Sequence, residues 1–571
     1  MKTNTILKTI ALLFGSAVLL TSCVEETFPE NGYATSDQIG NSPFATDGIV
    51  TAMPTIRMTN YTEYLGEHVE FGYAGLMGSY DRLAGEVFPV SGNMSGGNQY
   101  YDRWQHVLYP GNTNGLNDNG WGTPWPYYSY YQFIFTNNSA IAVFSATGEP
   151  SAELGLAYAF RAANYMDMAR LYDPLPAKAG NPKVPYDASA VYGLTVPIVT
   201  ETMPLEQLED NPRAPREQMW AFILNDLNQA ETMLDGYKRS TYNVPNLAVV
   251  YGLKARAYLW LGGIAEAYGD VTLDPAYGTA TVNVPTGETA YKLAAQYARK
   301  AIDASGCTIM TEAQWLDPVT GFCAVNSAWM WAMCQSTDTV INNLYSWTAH
   351  MSIDAQWGYG PGSQPGVSVF TYNRMSDTDF RKKNIVSPDR NYAAIAPYTM
   401  MTEAEFEGET FSPIAPYAWI KFHTNGGEKY DYSLGNVTDI PLMRVEEMYL
   451  IEAEATAHYD EGTAKSLLAT FMAHRDAAYA YRGTDLVDEI IFQKRVEFWG
   501  EGIILYDLKR LNYSIVNGQK GTNAPTMTRF ITDGRAPWWN LCIPQSAVEK
   551  NKGLKNKNNP NVVQTYLSIE E

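Results

Sequence analysis

Basic side chains are in short supply in this sequence. Against 61 Asp and Glu stand 40 Lys and Arg, a formal charge of −21. Phosphate backbones need clustered Lys and Arg, so nucleic acid is excluded as a partner, and adsorption to an anionic lipid surface is disfavoured for the same reason. The six histidines (His68, His106, His350, His423, His458 and His474) are scattered, and no CxxC pair accompanies them, so no zinc site is expected. The sequence lacks G-x-S-x-G, H-E-x-x-H and a P-loop, and no EF-hand spacing surrounds Asp118. No metal and no dissociable cofactor is therefore assigned. Beyond residue 23 no apolar run is long enough to cross a bilayer.

What is present at the start is an export signal. Lys2 and Lys8 precede an apolar stretch from Ile10 to Leu20, and Leu20-Thr21-Ser22-Cys23 resembles the lipobox of bacterial lipoproteins. That resemblance implies a diacylglycerol on the Cys23 thiol, cleavage after residue 22, and a lipidated leader over 23–40. Val24-Glu25-Glu26 resembles the acidic surface-export signal of some Gram-negative lipoproteins. After Cys23 the cysteines are Cys307, Cys323, Cys334 and Cys542. A disulfide among the first three is chemically allowed outside the cytoplasm, and free buried thiols fit the sequence equally well.

Two kinds of sequence alternate in the body. Alanine-rich stretches at 152–171, 216–234, 247–268, 288–304 and 441–459 read as helices. Leu156, Phe160, Ala163 and Met166 recur at three- and four-residue spacing, as one helix face requires. Ala255, Ala257, Ala265 and Ala267 are small enough to let helices approach closely. Tyr291, Ala294, Ala298 and Ala301 look like one face of a tetratricopeptide helix, in degenerate repeats without a clean period. Stretches rich in Gly, Asn, Tyr and Trp (85–131, 176–215, 305–440 and 511–571) read as irregular insertions. The fold class is mainly α: one domain over 41–571, with a repeat-containing half to 304 and a second half from 305.

The C-terminal third carries the most specific pattern. Asp439-Ile440-Pro441-Leu442-Met443-Arg444 runs into Glu446-Glu447-Met448-Tyr449-Leu450-Ile451-Glu452-Ala453-Glu454-Ala455. Then come Arg495-Val496-Glu497 with Gly500-Glu501-Gly502, Asp507-Leu508-Lys509-Arg510, Ile543-Pro544-Gln545, Asn551 and Asn559-Pro560. Together with 161–171 and Tyr172-Asp173-Pro174-Leu175-Pro176, these resemble the signatures of the SusD/RagB family. The resemblance implies a tetratricopeptide-based α fold on an outer-membrane surface. It also implies a SusC-like TonB-dependent barrel as partner, and capture of an oligosaccharide, or in some relatives a peptide, for import. Ile504 and Gln545 depart from the family pattern, where Arg and Glu are usual. Arg444, Glu452, Arg495, Glu497, Glu501 and Asp507 lie on otherwise apolar helices and read as paired structural charges rather than catalysts.

Sugars offer C–H faces to flat rings and hydroxyl edges to amides and carboxylates. Two insertions have that mixture, one around residues 98–125 and one around 342–359. The candidates are Trp104, Trp121, Trp347, Trp357, Tyr101 and Tyr345 as rings, with Asn98, Asp102 and Asn343 as polar partners. Trp538-Trp539 is a further aromatic pair in a late loop. A secreted glycosidase is an alternative, and it would need two carboxylates flanking the scissile bond. The nearest local pair, Asp377 and Asp379, sits beside Arg381 and Lys382 and reads as a loop ion-pair cluster. The expected function is glycan binding without catalysis.

Overall fold

Helices fill the intervals between Gly-, Pro- and Asn-rich turns. In chain order the longer ones are α1 (Pro43–Met58), α2 (Tyr73–Leu83), α3 (Pro124–Ser145), α4 (Ala152–Tyr172), α5 (Arg216–Met233), α6 (Leu247–Tyr268), α7 (Gly287–Ser305), α8 (Val445–Ala457), α9 (Glu461–Met472), α10 (Leu486–Glu497) and α11 (Ile504–Arg510). The structure is a computed structural model that describes residues 39–40, 42–58, 66–91, 102, 104, 113–178, 186–268, 276–277, 280–281, 284–339 and 342–562. Cys23, its leader up to residue 38, Asn98 and Tyr101 lie outside the described residues. Among the described residues no helix is long and apolar enough to cross a membrane.

Local chemistry sets the helix limits. Ser151 caps α4, its Oγ accepting from the Leu154 N–H at 3.1 Å. Only Ala152, Glu153 and Tyr158 of that helix escape burial, so its polar side chains need partners. Arg161 donates to both carboxylate oxygens of Asp226 at 2.7 and 2.8 Å and to Glu201 at 2.6 Å. Asp167 accepts from Tyr73 at 2.6 Å and from Tyr130 at 3.1 Å.

These pairings also show that successive helices run antiparallel. Asn137 and Asn138 of α3 meet Asn164 and Arg161 of α4, Arg161 and Asp173 meet Asp226 in the middle of α5 and Arg216 at its start, and Gly262 and Lys254 of α6 meet Tyr291 and Tyr297 of α7. The α7 face formed by Ala290, Tyr291, Ala294, Ala298 and Ala301 is buried, as the spacing predicts. At Gly262 and Gly263 a Cβ would collide with the Tyr291 ring and the Arg510 side chain, so this pair sets the close approach that the alanine spacing predicts only in outline.

Two stretches differ from the sequence reading. Residues 441–444 are strand rather than helix: β2 (Ile440–Arg444) pairs antiparallel with β1 (Trp329–Met333), both fully buried. Pro441 cannot continue a helix from inside it, and α8 starts only after Arg444. Conversely, α3 begins inside a segment read as irregular. Pro124 and Pro126 occupy its opening positions, where a missing N–H costs nothing.

The charged signatures form the frame. Glu497 accepts from Arg381 at 3.0 Å, from Arg444 at 3.1 Å and twice from Arg475 at 2.8 Å. Arg444 also donates to both oxygens of Glu501 at 2.9 Å. Glu454 bridges Lys494 and Arg510, which share Asp507, while Glu452 takes Arg299 and Glu86 takes Arg495. Each of these charges is paired, as its placement among apolar residues predicts. Asp379 is buried on Arg381, and Asp377 is exposed on Lys382. Cys307, Cys323, Cys334 and Cys542 are all unpaired.

The chain's end is clasped to α4. Asn559 donates to the carbonyls of Tyr172 and Leu541, and Arg213 donates to Tyr172 O, Lys557 O and Asn559 Oδ1. Lys509 Nζ donates to three carbonyls at the C-terminal end of the same helix, Arg170 at 2.7 Å, Leu171 at 3.2 Å and the capping Asp173 at 3.1 Å. Lys509→Met is expected to leave these carbonyls short of donors and cost about 2–3 kcal/mol, read as a lower urea midpoint with an unchanged slope. A midpoint within error of the parent would count against the clasp.

Candidate functional site

The second insertion builds a lobe with its own small core of Ile353, Val386, Ile395, Met401, Phe406, Ile414, Ala418 and Ile420. Its outer edge is stitched from two segments. Ser346 caps the short helix Trp347–Met351 through the Ala349 N–H and donates to Asn436 Oδ1 at 2.7 Å. Asn436 Nδ2 returns to the carbonyls of Asn342 and Asn343, and Gln356 N–H donates to Lys429 O at 3.0 Å. Gly435 completes the seam, because any Cβ there would collide with the Trp357 ring that lies on it.

This seam presents side chains to solvent. Tyr430 is 66% exposed, Tyr432 41% and Leu434 50%, which is unusual for adjacent large side chains. Tyr430 is nevertheless fixed, since its hydroxyl donates to Glu405 Oε1 at 2.6 Å and leaves the ring open. Burial works against the Glu405 charge, but hydrogen bonds from Lys429, Tyr430 and Thr402 outweigh it and hold the carboxyl at about 2. Asp431 caps the next turn through the Ser433 N–H at 2.9 Å. Asn343, Tyr345 and Trp357 are half-buried along the same seam. Tyr345 meets the His68 ring edge-on at 4.7 Å, and His68 Nδ1 is 2.5 Å from the Tyr359 hydroxyl.

The other candidates sit elsewhere. Trp104 is fully buried, with its indole N–H on Gly75 O at 2.9 Å and Arg82 over its ring at 3.9 Å. Asp102 is buried as the partner of Arg82 at 3.2 Å. Trp347 is 4% exposed and packs edge-on against Phe422 at 5.2 Å. None of these three faces solvent. A large ring gains most from full burial, and an aspartate survives burial beside an arginine. The two insertions do meet, with the Trp104 and His350 ring centroids 4.6 Å apart, but through buried side chains. Trp538 and Trp539 are also buried, both donating to Leu83 O. Trp121 is 38% exposed in a loop held to the C-terminal segment through Asp118 and Asn561. Among the described residues it has no hydrogen bond or ring contact with the seam.

Thus the structure joins Asn343, Tyr345 and Trp357, and adds His68, Tyr430, Tyr432 and Leu434, which the sequence reading missed. A signal was there: Asn425-Gly426-Gly427 and Gly435-Asn436 bracket Tyr430-Asp431-Tyr432, a polar turn that keeps large rings. Chemically the seam offers flat ring faces beside amide and carboxylate edges. Among the described residues no cluster of His, Cys, Asp and Glu is arranged to hold a metal ion.

The family model described as the SusD family matches residues 408–561, a segment that includes Tyr430, Tyr432 and, from the buried ion-pair frame, Arg444, Arg475, Glu497 and Glu501. Among solved structures, the chain is similar to a SusD-like carbohydrate binding protein from Bacteroides vulgatus (19% identity, 90% of this chain and 98% of that one, TM-score 0.61). It is similar to a SusD superfamily protein from Bacteroides thetaiotaomicron (17% identity, 90% and 99%, TM-score 0.61). A SusD superfamily protein from Parabacteroides distasonis also matches (14% identity, 89% and 98%, TM-score 0.58). No curated protein matches the chain. The segment 408–561 thus carries the SusD-family pattern, and about nine-tenths of the chain has the SusD-like fold.

Proposed function

We propose, on the premise that this chain is a SusD-family protein, that it captures a glycan at the cell surface for import. The observation that carries the reading is the open, anchored Tyr430 ring, with Tyr432 exposed two residues on, in a segment that packs Gly435 on the Trp357 ring and joins Asn436 to the Asn343 carbonyl. A ring held by its own hydroxyl loses little freedom when a sugar stacks on it, and the neighbouring amides meet the hydroxyl edges. The solved relative described as carbohydrate binding supports the same ligand class. In this reading the protein releases its ligand unchanged to a SusC-like TonB-dependent barrel. The lipobox supports tethering by a diacylglycerol on Cys23, and Glu25-Glu26 supports an outward-facing position.

Native gels cast with soluble polysaccharides test the reading. Retardation by at least one glycan is expected, with no shorter products released from it. Tyr430→Ala and Tyr432→Ala should each weaken that binding by about 1–3 kcal/mol, the usual cost of losing an anchor ring. Retardation by none of them, or release of products, would overturn the proposal.

A further inference from the structure

The seam has a charge as well as a shape. Glu428 Oε1 accepts the backbone N–H groups of Tyr430 at 2.8 Å and Asp431 at 3.0 Å, and Asp431 Oδ1 accepts Ser433 N–H and Oγ–H at 2.9 and 2.6 Å. These bonds, led by those from Asp431 N–H to Glu428 and from the Ser433 side chain to Asp431, hold both carboxyls below their usual range and keep them ionised. In the chain they stand on either side of Tyr430, with Asp431 between the two exposed tyrosines.

Cations that could neutralise them are already engaged. Lys429 Nζ donates to Met400 O at 2.8 Å and to Glu405, and both members of that ion pair are largely buried. Arg390 donates to Ile414 O at 2.7 Å and to Glu407 at 3.0 Å. Lys421 is buried on Glu501 and two carbonyls. The partnering segment contributes neutral groups, Asn343, Tyr345 and Trp357, with the His68 ring edge-on to Tyr345 at 4.7 Å.

We infer that this site selects uncharged glycans and rejects those carrying uronate or sulfate groups. The inference rests on the glycan reading above and adds the substrate class. A sugar stacked on Tyr430 would bring any ring carboxylate or sulfate toward Glu428 and Asp431, while Lys429 and Arg390 of the same lobe are already engaged. Two like charges at such range in water discriminate by roughly ten-fold, and salt screens the effect.

Matched polymers test this: hydroxyethylcellulose against carboxymethylcellulose, dextran against dextran sulfate, and galactan against polygalacturonate. In each pair that is bound at all, the neutral member is expected to retard the protein at about one-tenth the concentration needed with its anionic counterpart. The Glu428→Gln/Asp431→Asn variant keeps the hydrogen-bond acceptors and should move that ratio toward one. Because the whole chain is acidic, Glu206→Gln/Glu209→Gln serves as control, with the same change in net charge at a remote exposed turn and an unchanged ratio expected. Equal or tighter binding of an anionic member overturns the inference and leaves the glycan reading standing, as does a ratio that the control moves as much as the site variant. Failure of every polymer, including the wider panel above, overturns the glycan reading itself.

Discussion

Glu497→Ala is expected to cost about 5 kcal/mol of unfolding free energy, because it removes the one carboxylate shared by three buried guanidinium groups and leaves their charge in excess. Arg381, Arg444 and Arg475 all donate to Glu497, and all four side chains are fully buried. The assembly is balanced in the native chain. Asp379, Glu446, Glu497 and Glu501 face Arg381, Lys421, Arg444 and Arg475. Burial alone would raise the Glu497 carboxyl, but Arg475, Arg444 and Arg381 outweigh it and hold it well below the usual range. A depressed folded-state value contributes stability that is fully present above the unfolded value near 4.5 and is lost as pH falls toward the folded one. The native chain should therefore lose stability in acid, and a folded Glu497→Ala protein should lose less over the same range. Urea titrations at pH 7 and pH 3 check both. A variant with the parent's midpoint would show that the lattice is dispensable.

Asp81→Asn should move stability the other way, by roughly 5 kcal/mol at pH 8. Asp81 is fully buried on α2, and its Oδ2 accepts Gly502 N–H at 2.8 Å while Oδ1 has no partner. Burial raises this carboxyl from 3.8 to about 8, and the Gly502 N–H opposes that only in part. The unfolded chain ionises near 3.8 and the folded one does not, so rising pH favours unfolding across that interval and the cost levels off above about 8. An asparagine keeps the acceptor for Gly502 and does not titrate. The difference between variant and parent should be small at pH 4 and largest at pH 8. Parallel stability curves across that range would contradict the assignment.

How far the sequence speaks depends on the range of the interaction. The buried faces of α4 and α7 follow from spacing within one helix, and the paired roles of Arg444, Glu497 and Asp507 follow from placing charges among Ala, Leu and aromatics. Which rings face solvent does not follow from such local patterns. Trp104 and Trp347 occupy the same kind of Gly- and Asn-rich sequence as Trp357, yet Arg82, Gly75 and Phe422 draw them inward from other parts of the chain. Asp102 looks like a ligand partner until Arg82, on the preceding helix, is seen to hold it. Tyr430 is the converse case. Its open ring depends on Glu405, which reaches it from 25 positions earlier in the chain. The β1–β2 pairing joins segments about a hundred residues apart, and short buried strands carry no alternation to announce them.

The central claim is that the seam around Tyr430 and Tyr432 binds a glycan. Calorimetric titration of a retarding glycan into three proteins tests it most directly: the parent, Tyr430→Ala/Tyr432→Ala, and Trp121→Ala, whose ring is exposed away from the seam. The account predicts that the double variant binds at least about ten-fold more weakly, a loss of roughly 1.4 kcal/mol or more, while Trp121→Ala matches the parent. Parent affinity in the double variant, with loss in Trp121→Ala, would contradict it and move the site to the C-terminal clasp.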